Sequence, residues 1–139
     1  MNTFCKTIDK VDELPDLSYD GYLWMSDEAK PRKIESKSEI PTGTQNPFIV
    51  EGFLKSTDGT VSISLVSING AMKIFQFDLK QIDALPESQK TENSYLTHRY
   101  DEAKIKFITV WFPEKDKLCD DMEVLQPKMR VFNGFEFKN

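Results

Sequence analysis

Apolar and polar positions alternate in most of the readable stretches, so the chain predicts strands far more than helices. Residues 19–26 form the first such run. Tyr22 and Trp24 fall on one face and Leu23 and Met25 on the other, which predicts a central strand covered on both sides. Residues 31–39 are charged apart from Ile34 and read as a short, wet edge strand before a loop through Pro41, Gly43 and Asn46.

Three alternating runs then follow in succession, 48–56, 60–68 and 71–79, with Asp58-Gly59 and Asn69-Gly70 supplying hairpin turns between them. In the middle run Val61, Ile63 and Leu65 share one face, while Ser62 and Ser64 point the other way and are expected on a solvated face. The third run brings Phe75, Phe77 and Leu79 together. Residues 81–92 carry Pro86 and mostly polar side chains, predicting a loop with at most one helical turn over 81–85. Residues 95–100 fit either a short strand or a helical turn, and 103–112 alternate again until Pro113 ends the run. An acidic loop over 114–123 precedes the last extended candidates, 124–126 and 129–132. The sum is a mainly β fold of about six to eight antiparallel strands, built either as a small barrel or as a two-layer sandwich.

The length of 139 residues suits a single β-rich domain over 19–139, with residues 1–18 as a variable lead-in, partly helical or disordered. Aromatic residues are 12% of the chain, which excludes a low-complexity or disordered polymer. The net charge of -5 disfavours bulk binding to nucleic acid or anionic membrane, leaving only a local basic patch for such contacts. The repulsion is uneven: residues 1–60 hold 7 bases and 11 acids, whereas 61–139 hold 11 and 12. A partner is therefore better received by the C-terminal part. No apolar run reaches the length of a membrane helix, and the charged N-terminus does not resemble a secretory signal. Cys5 and Cys119 form no paired motif, so neither a disulfide framework nor a zinc site is expected, and a cytoplasmic setting fits.

Chemistry is thinly signposted. His98 is the single histidine, beside Arg99 in the run YLTHRY, and reads more readily as a hydrogen-bonded structural residue than as an acid-base group. No nucleophile elbow, phosphate loop or dinucleotide fingerprint occurs, so no cofactor is expected. Asp116, Asp120, Asp121 and Glu123 lack the order of a calcium loop and have Lys115 and Lys117 among them, so no metal is expected either. Tyr22, Trp24, His98, Arg99 and Trp111 remain as candidate binding residues. Aromatic rings interleaved with Arg99, Lys104 and Lys106 are the ingredients of a base-stacking surface, although a domain this small needs the same rings for its core.

Several phrases in fixed order carry a resemblance: GYLWMSD at 21–27, PFIVEGFL at 47–54, FQFDL at 75–79, YLTHRY at 95–100 and VWFPEKDKLCDDMEVLQPKMRVFNGF at 110–135. Together they resemble a family of small proteins associated with type III CRISPR modules of the Bacteroidetes kind, to which no activity is assigned. The resemblance implies antiviral defence in a bacterial cytoplasm, next to an RNA-guided effector complex whose subunits are the implied protein partners. Tyr22, Trp24, His98, Arg99, Trp111, Pro113, Cys119, Met122, Glu123 and Pro127 match its pattern, as candidates for either fold or function. The expectation is an accessory, non-catalytic interaction protein. The alternatives are a small-ligand or nucleotide-handling enzyme or sensor with a pocket around His98 and Arg99, and a module that contacts single-stranded RNA.

Overall fold

The computed structural model describes residues 5–42, 47–68, 71–84, 97–103, 106–110, 131–133 and 136–138. Among them are ten strands, β1 (Cys5–Ile8), β2 (Tyr19–Met25), β3 (Arg32–Ile34), β4 (Ile49–Ser56), β5 (Val61–Ile68), β6 (Ala71–Asp78), β7 (Thr97–Asp101), β8 (Lys106–Val110), β9 (Val131–Asn133) and β10 (Glu136–Lys138), with one short helix, α1 (Leu79–Asp83). The mainly β reading is correct. The runs over 19–26, 48–56, 60–68 and 71–79 contain β2, β4, β5 and β6, and the described part of 95–100, from Thr97 onward, is strand rather than helical turn. Among the described residues the strand count exceeds the expected six to eight because β1 and β10, of four and three residues, are too short to display an alternation, whereas β9 falls on the run expected over 129–132. The expected strand at 124–126 and the acidic loop at 114–123 lie outside the described residues.

The chain divides into two compact units, residues 7–76 and residues 1–6 with 77–139. Six strands form one sheet in the order β1-β6-β5-β4-β2-β3, and four form another in the order β10-β9-β8-β7. The six-stranded sheet is open, which corrects the barrel alternative. Its edges are β1 and β3, and β3 is a three-residue strand with exposed Arg32 and Lys33 just after Pro31, features that stop further pairing. β2 is interior, as expected, lying between β4 and β3.

One face of this sheet carries the main core of the 7–76 unit. Tyr19, Leu23, Leu54, Ile63, Leu65 and Ile74 pack there with Ile34, and Ile8, Val11, Leu14 and Ile40 from flanking segments complete the cluster. Part of the lead-in is therefore structural. Its placement is fixed by polar ties: the Lys37 ammonium donates to the carbonyls of Leu14 at 2.7 Å and Asp12 at 3.1 Å, and the Tyr19 hydroxyl donates to the Pro15 carbonyl at 2.7 Å. Burial, with Asp16 and Asp58 nearby, raises the Tyr19 phenol pKa. A capping box closes the 3₁₀ turn over Lys37–Glu39, the Ser36 backbone N–H donating to the Glu39 carboxylate at 3.0 Å.

The β4–β5 hairpin is built by its side chains. The Ser56 hydroxyl accepts from the backbone N–H groups of Thr60 at 3.0 Å and Val61 at 2.9 Å and donates to the Asp58 carboxylate at 2.7 Å. Gly59 turns the chain with φ +77°, a left-handed value that disfavours any side chain.

At Gly21 the constraint is space. A Cβ there would collide with the Phe53 carbonyl oxygen and come within 2.7 Å of the Leu54 Cα, both backbone atoms of β4. Gly21→Ala is expected to cost more than about 3 kcal/mol or to abolish folding, because a backbone clash cannot be relieved by a rotamer change. Gly59→Ala, which meets open space, is expected to cost only about 1–2 kcal/mol through its φ. Urea denaturation of both variants checks this ordering; equal losses would show that the β2–β4 approach is not limiting.

Candidate functional site

The pleat that sends Leu23, Leu54 and Ile63 to the core sends their neighbours to the opposite face. On that face Asp20 lies across from Lys55, Tyr22 from Phe53 and Trp24 from Glu51. One strand further on, Lys55 lies across from Ser62, Phe53 from Ser64 and Glu51 from Val66. Phe75, one residue after the core residue Ile74, falls on this face as well and is buried. The result is an aromatic strip with polar groups set into it.

Its outer end is charged and solvated. Lys33 and Asp20 form an ion pair at 2.6 Å, and the Lys33 ammonium lies 5.7 Å from the centre of the Tyr22 ring. The hydrogen bond and charge of Asp20 raise the lysine pKa. The Tyr22 and Phe53 rings meet at 6.0 Å between centroids with a 54° tilt, an aromatic contact within the favourable range. Tyr22 is half-buried in this position. Trp24 is 8% exposed, and its indole N–H donates to the Glu28 carbonyl at 2.9 Å. That bond fixes the ring on the turn between β2 and β3. Arg32 reaches back to the Glu28 carboxylate at 3.6 Å.

The inner end is buried and unusually polar. Glu51 is 4% exposed, Ser62 1% and Ser64 5%, and among the described residues Glu51 Oε1 and both serine hydroxyls have no hydrogen-bond partner. The serines were expected on a solvated face; they are instead buried. Burial pushes the Glu51 carboxyl up to about 9, so it is a neutral acid at pH 7. A neutral carboxyl can donate and accept hydrogen bonds but offers no anionic charge to a cation. Glu51 carries no sequence motif, and a single acid in an alternating strand reads like any exposed one. The signal that could have exposed it is its register partner, Trp24.

The other candidate residues are placed as follows. His98 and Arg99 occupy successive positions of β7, opposite Thr109 and Ile108 of β8. Trp111 and the Cys119 loop lie outside the described residues. No group of three or more His, Cys, Asp or Glu suited to a metal ion occurs among the described residues. No helix among the described residues is long and apolar enough to cross a membrane.

Residues 17–137 match the CRISPR type III-associated protein family. The chain belongs to that family. The ordered phrases from 21 to 135 thus report a real relationship, and the CRISPR type III-associated match runs through β2, β4 and the whole polar face. No curated protein and no solved structure matches the chain.

Two outcomes follow for the buried end of the face. Glu51 has a folded pKa of about 9 against an ordinary 4.5, so its contribution to stability is fully present below about pH 4.5 and is lost as pH rises toward 9. By pH 7 the loss is about 3 kcal/mol, on the order of 1.4 kcal/mol per pH unit. Denaturation midpoints across this window are expected to fall for the wild type and to fall less steeply for Glu51→Gln; identical slopes would show that the carboxyl is ionised in the fold.

Ser62→Ala and Ser64→Ala remove hydroxyls that make no hydrogen bond and are expected to leave stability unchanged or to raise it by about 1 kcal/mol. A loss above about 1 kcal/mol in the same assay would mean that the hydroxyl is paired in solution.

Proposed function

We propose that this protein is an accessory, non-catalytic interaction protein of a type III CRISPR-Cas antiviral defence system of the Bacteroidetes kind. It acts in the cytoplasm by binding a protein partner, a subunit of the effector complex. The observation that carries this reading is the family match over residues 17–137, which ties most of the chain to type III modules. The net charge of -5 adds support, since an acidic surface suits a protein partner better than direct capture of RNA. Among the candidate contact residues, Tyr22 has a half-buried ring with the exposed Lys33 ammonium 5.7 Å from its centre, so a partner reaches it by displacing Lys33. His98, Arg99 and Trp111 are the remaining candidates, and Trp24 acts through packing that holds the β2–β3 turn.

The test is co-purification of the tagged protein with effector subunits expressed from the native operon at physiological salt. Recovery of at least one effector subunit is expected, and it is expected to fall for Tyr22→Ala with an unchanged circular dichroism spectrum. Recovery of none overturns the reading. Binding to single-stranded RNA that weakens steeply with salt, in the absence of protein partners, would replace it with the RNA-contacting alternative.

A further inference from the structure

No further inference is drawn: the strongest candidate, the buried Glu51 side chain across from Trp24 on one face of the six-stranded sheet, carries nothing because nothing among the described residues shows what covers that face.

Discussion

The interior strands β4 and β5 are buried on both faces, and most of the described structure follows from that constraint. A strand buried on one side can discard its polar residues into water. A strand buried on both sides cannot, so every polar side chain in it needs a partner or imposes a cost of about 1–3 kcal/mol. The first face meets the constraint with aliphatic residues, Leu54, Ile63 and Leu65 packing against Leu23 and Ile74. The second face mixes rings with Glu51, Ser62 and Ser64. Only the first is a conventional core.

Ser56 shows what satisfaction of this constraint looks like. It is as buried as Ser64, at 3% against 5%, but it sits where β4 ends and the backbone N–H groups of Thr60 and Val61 have no ladder partner. Its hydroxyl accepts both and donates to Asp58, so the polar atom organises the hairpin. Ser62 and Ser64 lie within the β4–β5 ladder, where the neighbouring backbone groups already bond to each other. Position along the strand, rather than residue type, decides whether a buried serine is useful to the fold.

That distinction marks how much was legible in the sequence. β2, β4, β5 and β6 were readable because seven or eight residues of alternation, punctuated by Asp58-Gly59, leave little room for another structure. β1 and β10 were not, since a short strand takes its shape from its neighbour rather than from its own pattern. The openness of the sheet was also hidden, because closure depends on whether the edges can pair and not on the alternation within any strand. The serines were misread for a related reason: alternation reports that two faces differ, not whether the polar one meets water. Of the candidate site, Tyr22 and Trp24 were correctly put on one face, while Glu51 between them and β5 became visible only once the register was known. Family membership was legible in the order of phrases along the chain, a signal independent of the fold.

The same register also assigns the electrostatics of the aromatic face. Glu51 is neutral near pH 7, so the buried end contributes no charge, and a cation or a basic peptide gains nothing there. The field of the face comes instead from its outer end, where Asp20 stands across from Lys55 and pairs with Lys33 on the opposite strand. Glu35 also acts on the Lys33 ammonium, so two acids stand with two lysines at that end. At an exposed pair the ionic contribution to stability is small. What Lys33 does instead is geometric, because its ammonium is held over the Tyr22 ring while its partner Asp20 keeps it on that side of β3. Charge and ring are thereby coupled through one lysine at the outer end, while Glu51 at the buried end is held neutral by its burial.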